Sequence, residues 1–144
     1  MTGQSATVIA TYSRRMGLRL DDGREIDARI KGKRLKPVCG DVVQAEPIEN
    51  ESDWLITAIE PRRNELSRPN MRGQVEVLAA NLDVIVVVAA VSPLPDWFIV
   101  DRYLCAAELM DTDAIVVFNK IDLLHGHDIE VPDLQEYRDI GLDV

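Results

Sequence analysis

The four residues Asn119-Lys120-Ile121-Asp122 carry the most specific chemistry in the chain. A carboxylate at the fourth position accepts both N–H donors of the guanine edge, which adenine lacks, and such a bidentate contact is worth about 1–3 kcal/mol of discrimination. Asn119 would brace the loop and reach the other guanine edge, while the aliphatic stem of Lys120 would cover the purine face with its ammonium in solvent. The pattern predicts a guanine-binding loop; the alternative is a polar turn in which Asp122 caps a short helix.

The residues around this motif have the pattern of a β-α-β unit. A nearly continuous β-branched run covers residues 82–91, a helical pattern follows, and a second apolar run at 114–118 ends immediately before Asn119. Asn119 is therefore expected at the carboxyl end of a parallel strand, the edge at which open α/β sheets bind ligands. A further helix is predicted at about 131–139, and residues 142–144 resemble the beginning of another strand.

The first sixty residues instead show short strands separated by turn residues. Asp22-Gly23 is a strong hairpin signal, and in residues 25–30 apolar and charged side chains alternate strictly. Five short strands in about sixty residues are typical of a small barrel. The OB-fold is the best-known five-stranded Greek-key example, and an SH3-like barrel is the alternative.

A change of pattern divides the chain into two domains. Residues 61–73 contain two prolines and no sustained periodicity, which is typical of a linker. We therefore predict an OB-fold domain at 1–64, a linker at 65–74, and an incomplete α/β domain at 75–144.

Composition restricts the class of protein. With 144 residues and 47% hydrophobic content, the chain is long enough for one ordinary domain or two small ones. Its longest apolar stretch, 82–91, contains Asp83 and is too short to span a bilayer, and its N-terminus has no leader pattern, so we expect a soluble cytoplasmic protein with no membrane partner. Cys39 and Cys105 are too few and too far apart for a disulfide framework or a zinc site.

Charge is distributed unequally along the chain. Residues 1–72 hold 13 Lys and Arg against 11 Asp and Glu, whereas residues 73–144 hold 3 against 14. The N-terminal half can therefore approach a polyanion that the C-terminal half would repel.

The basic residues of the barrel are candidates for contact with RNA phosphates. Their alternative role is an ordinary solvated loop. Because Tyr12 and Trp54 are the only aromatic side chains in these loops and strands, backbone and shape recognition is favoured over base stacking. The candidate residues are Arg14, Arg15, Lys31, Lys33, Arg34 and Lys36.

The sequence lacks the motifs that perform phosphoryl transfer. Neither a Gly-x-x-x-x-Gly-Lys-Ser/Thr phosphate loop nor an Asp-x-x-Gly switch occurs, so we assign no catalytic residue and predict that this chain alone does not hydrolyse GTP. His125-Gly126-His127 has no third ligand at a suitable spacing and is interpreted as a polar loop, so no metal site is predicted.

Taken together, the motifs resemble the circularly permuted GTPases that depend on the small ribosomal subunit. The resemblance implies an OB-fold that touches ribosomal RNA, guanine specificity at Asn119, Lys120 and Asp122, GTP or GDP with Mg²⁺ as cofactor, and a role in late small-subunit maturation. It also implies a C-terminal Zn²⁺ domain, whose ligands are absent here. The matching segments are Gly40-Asp41-Val42, residues 62–68, 79–83, 101–104 and 119–124.

In an ordinary GTPase the phosphate loop precedes the guanine-binding loop, whereas here only a barrel precedes it. The resemblance therefore implies that the phosphate loop and switches lie downstream, and we expect a monomer that binds the small subunit. The competing class is a non-enzymatic OB-fold RNA-binding module with a vestigial α/β appendage.

Overall fold

The computed structural model describes residues 3–124 and 131–144. It forms two compact units, Met1–Leu82 and Asp83–Val144, which are described separately below. His125-Gly126-His127, predicted to be a polar loop, lies outside the described residues.

Five strands of the first unit close into a barrel. They are β1 (Gln4–Thr11), β2 (Met16–Leu20), β3 (Glu25–Ile30), β4 (Val42–Pro47) and β5 (Trp54–Ile59). Their order around the barrel is β1-β2-β3-β5-β4, and every pair is antiparallel except β3 with β5. This closed five-stranded arrangement confirms the predicted OB-fold.

The predicted alternation builds the barrel core. In β3, Ala28 is buried and Ile26 and Ile30 are partly buried, whereas the charged residues between them are exposed. The predicted turn before this strand is present: Gly23 has φ +87°, and its N–H donates to the carbonyl of Leu20 at 2.9 Å. Glycine suits this position because it adopts positive φ without steric cost. The largest fully buried side chains of the barrel core are Leu18, Ile56, Val8 and Val43.

The linker predicted at 65–74 is wrong, because this segment belongs to a β-hairpin. Its strands, β6 (Glu65–Pro69) and β7 (Val75–Ala80), pair antiparallel, and both lie within the first unit. The side-chain oxygen of Asn70 accepts hydrogen bonds from the backbone N–H groups of residues 72 and 74 at 2.9 and 3.0 Å. Proline, asparagine and glycine, which suggested a linker, here form the turn of the hairpin.

A buried ion pair and a close backbone approach attach this hairpin to the barrel. Asp41 is fully buried and accepts two hydrogen bonds from Arg62, at 2.7 and 2.8 Å, and these bonds raise the pKa of the guanidinium above its usual value. At Gly40, which has φ +91°, an added Cβ would lie 1.9 Å from the carbonyl oxygen of Ala80. The hairpin therefore packs where only glycine leaves room.

The second unit contains the predicted β-α-β arrangement. β8 (Val84–Ala90) is followed by α1 (Trp97–Leu109) and β9 (Asp113–Asn119), and the two strands are parallel. A short 3₁₀ helix (Ile121–Leu123) and α2 (Pro132–Asp139) follow. Asp143 forms a parallel bridge to Ile115, so the strand expected at 142–144 begins beside β9.

Only one face of this sheet is covered in the described residues. Val100 from α1 and Leu134 and Tyr137 from α2 are buried against Val116 of β9. On the opposite face, Val86 and Val88 are 50% and 62% exposed. The strands of this sheet are half-buried, because both described helices pack on the same side. No helix among the described residues is long and apolar enough to cross a bilayer.

Candidate functional site

The predicted guanine-binding loop begins where β9 ends. Asn119 is the last residue of the strand, and Lys120 adopts a left-handed conformation with φ 59° that turns the chain into the 3₁₀ helix. The Asn119 side-chain oxygen accepts a hydrogen bond from the Lys120 backbone N–H at 2.7 Å. The asparagine amide therefore braces the turn through its oxygen, and among the described residues its NH₂ group donates to no acceptor.

The Lys120 side chain is exposed and reaches the segment that follows β8. Its Nζ donates a hydrogen bond to the carbonyl oxygen of Ser92 at 2.8 Å. The reason is the sheet register: Ala90 pairs with Asn119, and the N–H of Val91 donates to the Asn119 carbonyl at 3.3 Å. The segments that leave the carboxyl ends of β8 and β9 are therefore neighbours, and the lysine connects them.

Asp122 lies in the 3₁₀ helix and is exposed. No side-chain cap forms at this helix, so the alternative in which Asp122 caps a turn is not what the loop shows. Within residues 3–124 and 131–144, its carboxylate has no hydrogen-bond or ion-pair partner. An exposed, unpartnered carboxylate beside a braced amide can accept a pair of N–H donors from a ligand.

The structure places two of the candidate RNA-binding residues in the turn between β1 and β2. The backbone N–H of Tyr12 donates to the carbonyl of Arg15 at 2.8 Å and closes this turn. Arg15 lies 3.4 Å from the largely buried carboxylate of Asp53. Arg14 is exposed and, in the part of the chain that the structure describes, forms no ion pair. The two arginines therefore differ: Arg15 anchors the turn and Arg14 is available to a ligand.

The other four candidates lie in the connection between β3 and β4. All four are exposed, and two of them line a groove of about 840 Å³ beside the end of β5 and the β6–β7 hairpin. The β1–β2 turn instead lies by the start of β5, because Met16 pairs with Ala28 and Ala28 with Trp54. The six cations thus form two groups near opposite ends of β5. The four in the connection are Lys31, Lys33, Arg34 and Lys36, and those that line the groove are Arg34 and Lys36.

Sequence patterns did not predict two residues that contribute to these sites. Ser92 contributes a backbone carbonyl, which no side-chain pattern reveals. Asp53 resembles any polar loop residue, although its position immediately before the strand residue Trp54 is a signal in retrospect. Among the described residues no group of three or more His, Cys, Asp or Glu side chains is placed to hold a metal ion.

Sequence comparison relates the chain to one family. The model of the RsgA GTPase family matches residues 59–144, which include the hairpin, the β-α-β unit and the loop at Asn119. The Small ribosomal subunit biogenesis GTPase RsgA of Shewanella oneidensis is 35% identical over 98% of this chain, and that of Pseudomonas aeruginosa is 36% identical over 96%. The chain spans 42% and 41% of the length of these relatives.

Solved structures show the same architecture. YjeQ from Thermotoga maritima has a TM-score of 0.64 at 26% identity, covering 96% of this chain and 47% of that one. YloQ, described as a circularly permuted GTPase, has a TM-score of 0.66 at 26% identity, covering 99% and 50%. The family model matches more than half of the chain, and the chain therefore belongs to the RsgA GTPase family.

Proposed function

We propose that this chain supplies the OB-fold and the guanine-specificity loop of a GTP-hydrolysing factor that binds the small ribosomal subunit and assists its late maturation. The observation that carries the proposal is the loop Asn119-Lys120-Ile121-Asp122 at the carboxyl end of β9, within the segment that matches the family. The names of the relatives, which are small-subunit biogenesis GTPases, support the same function.

In this proposal, Asp122 selects the base. Its free carboxylate accepts the two N–H donors of guanine, whereas adenine would leave it unpaired. Asn119, braced through its oxygen, donates its NH₂ group to the ligand, and the stem of Lys120, extended towards Ser92, provides apolar surface for the purine. These groups bind and orient the base of GTP or GDP, and they take no part in phosphoryl transfer.

Hydrolysis and metal binding are proposed only for a longer gene product. GTP hydrolysis needs a phosphate cradle and held Mg²⁺, and this chain contains no phosphate-loop sequence. The described residues do not fit a Mg²⁺ or Zn²⁺ site either, so no step is assigned to a metal here. The barrel contributes ribosomal RNA contacts through its exposed cations. We propose that the factor is cytoplasmic and monomeric.

The test is Asp122→Asn in the full-length gene product that contains this chain. The substitution replaces an acceptor by a donor, so affinity for GTP should fall about tenfold to a hundredfold, and binding of xanthosine triphosphate should improve. Competition of fluorescent GDP by GTP, ATP and xanthosine triphosphate measures both changes. Glu136→Gln, which removes an exposed carboxylate from α2, is the matched control and should leave selectivity unaltered. Unchanged guanine selectivity in Asp122→Asn would contradict the assignment.

A further inference from the structure

Three of the segments that carry the family resemblance belong neither to the guanine-binding loop nor to the candidate RNA-binding residues. They are Gly40-Asp41-Val42, residues 62–68 and residues 79–83. Residues from all three meet where the chain leaves the first unit, because Leu82 is the last residue of that unit and only Asp83 separates it from β8. Their hydrogen bonds hold the end of the β6–β7 hairpin to the barrel.

Asn81 uses its whole side-chain amide at this junction. Its Oδ1 accepts a hydrogen bond from the backbone N–H of Arg63 at 2.8 Å, and its Nδ2 donates to the Gly40 carbonyl at 2.9 Å. The backbone carbonyl of Asn81 also accepts a hydrogen bond from the Arg63 guanidinium at 3.0 Å. One asparagine therefore joins the barrel, through Gly40, to the segment that begins the hairpin.

Asn64 holds the next residue, Leu82, in a similar way. Its Nδ2 donates to the Leu82 carbonyl at 2.8 Å, and its Oδ1 accepts from the Leu82 backbone N–H at 2.7 Å. The backbone carbonyl of Asn64 accepts from the N–H of Asn81 at 3.0 Å. One side chain thus pairs with both backbone polar groups of the last residue of the unit. We call Asn64 and Asn81, with the residues that they bind, the exit clamp.

Features that cost stability surround the exit clamp. Asp41 is a fully buried carboxylate that pairs with Arg62, and a buried ion pair adds little net stability because both charges lose their hydration. Asn81 has φ 55°, a value that few residues other than glycine adopt. Sparsely populated backbone conformations persist where the surrounding structure fixes them, and they concentrate at functional positions. The cluster is therefore better suited to precise geometry than to stability.

One strand connects the exit clamp with the predicted guanine-binding loop. β8 begins two residues after Leu82 and ends at Ala90, which pairs with Asn119. Just beyond the strand, the carbonyl of Ser92 accepts the hydrogen bond from Lys120. Seven extended residues span about 20 Å, and energetic coupling between distant sites travels through such rigid elements and their hydrogen bonds. A continuous path of backbone and hydrogen bonds therefore leads from the barrel to the loop.

We propose that Asn64 and Asn81 are positioning residues that couple contact between the barrel and the small ribosomal subunit to GTP hydrolysis in the full-length gene product. They bind neither RNA nor nucleotide. A constraint that the subunit places on the barrel passes through Leu82 and β8 to the guanine-binding loop. This inference rests on the proposed function in requiring hydrolysis that responds to the subunit. It goes further by assigning that response to two side chains outside both binding sites.

The experiment measures GTP hydrolysis by the full-length gene product, with and without saturating small subunits, for Asn81→Gly and Asn64→Ala. Glycine adopts φ 55° without steric cost, so Asn81→Gly removes only the side-chain hydrogen bonds. Each variant should keep its basal rate within about twofold and should lose about fivefold or more of the stimulation by subunits, because coupling between sites commonly corresponds to factors of about 5–150.

Asn70→Ala is the matched control. Asn70 also accepts two hydrogen bonds from backbone N–H groups, but it lies at the turn, the opposite end of the hairpin from Leu82. This variant should keep both the basal rate and the stimulation. Co-sedimentation with small subunits checks that Asn81→Gly still binds them, so that lost stimulation is not lost binding.

The outcomes distinguish this inference from the function on which it rests. If small subunits do not stimulate the parent protein, the proposed function fails and the coupling role fails with it. If they stimulate the parent and both clamp variants equally, the coupling role alone is wrong. A proportional fall of basal and stimulated rates, or an equal loss of stimulation in Asn70→Ala, would also overturn it, because these residues would then serve only the fold. If Asn64→Ala does not fold, Asn81→Gly decides alone.

Discussion

The barrel and the α/β unit bury their strands by different means. Every barrel strand pairs along both edges, and its core side chains, such as Leu18 and Ile56, are fully buried. In the α/β unit, β8 pairs with β9, and among the described residues β9 gains only an isolated bridge to Asp143 along its other edge. One face of this sheet exposes Val86 and Val88. A closed sheet satisfies its own edges, whereas an open sheet depends on neighbours to cover its edges and faces. The barrel should therefore be the more self-sufficient unit.

The two tryptophans allow this difference to be measured. Trp54 packs against the barrel core, and Trp97 packs against the core of the α/β unit. Replacing one tryptophan by phenylalanine leaves a single fluorophore that reports on one unit. Denaturant unfolding of the two single-tryptophan chains then gives a separate transition for each unit, which is necessary because two units need not unfold together.

The largest effect is expected for Leu18→Ala. Leu18 is fully buried in the barrel, so the substitution removes apolar contacts and leaves a cavity, at a cost of about 2–5 kcal/mol in the free energy of unfolding. Urea unfolding followed by Trp54 should show this loss, and the transition followed by Trp97 should stay in place. Equal shifts of both transitions would indicate that the two units unfold together.

A smaller loss is expected for Gly40→Ala. The new Cβ would meet the Ala80 carbonyl and would occupy a φ of +91°, so the hairpin must shift away from the barrel. A strained backbone of this kind costs about 1–3 kcal/mol. Hydrogen exchange should show faster exchange of the Ala80 amide, which donates to the Cys39 carbonyl at 3.0 Å. Gly23→Ala is the control, because it imposes a similar φ where no atom lies within 4 Å. Equal effects would show that φ alone, not the contact with Ala80, is responsible.

The smallest effect is expected for Val88→Ala. This side chain lies on the uncovered face of the sheet, so little buried surface is lost and stability should change by about 0.5 kcal/mol or less. Val116→Ala, on the covered face, is the matched comparison and should cost more. Denaturant unfolding followed by the fluorescence of Trp97 measures the loss of stability in both variants. A large loss for Val88→Ala would mean that this face is covered in solution, which would remove the contrast with the barrel.

Much of the fold follows from local patterns. Alternation and turn residues predict the barrel, because each strand has one face on the core and one in water. The two apolar runs predict the parallel pair, and with it the position of Asn119 at the end of β9. The hairpin at 65–80 was mispredicted because Pro69 and Gly73 suit both a linker and a tight turn. Only pairing between distant residues decides between these alternatives.

The sequence predicts those candidate site residues that contribute side chains, but it does not predict contacts that depend on how distant segments pack. Residue type and spacing make Asn119 and Asp122 candidates for guanine contact, and among the described residues the carboxylate of Asp122 has no partner, which suits the proposed role. The partner of Lys120 is a backbone carbonyl, which side-chain patterns cannot identify. The division of the basic residues into two groups also depends on how β3 and β5 pair, and this pairing joins residues about 26 positions apart.

The hydrogen bond between Lys120 and Ser92 has an entropic consequence for the proposed binding of a guanine nucleotide. A free lysine side chain has up to about 2 kcal/mol of rotamer freedom to lose when it is immobilised. Here the Lys120 side chain is held by the carbonyl of Ser92, which supplies part of that ordering without a ligand. The loop is therefore partly preorganised. The loss of side-chain entropy on binding should be smaller, which raises the affinity for the proposed ligand.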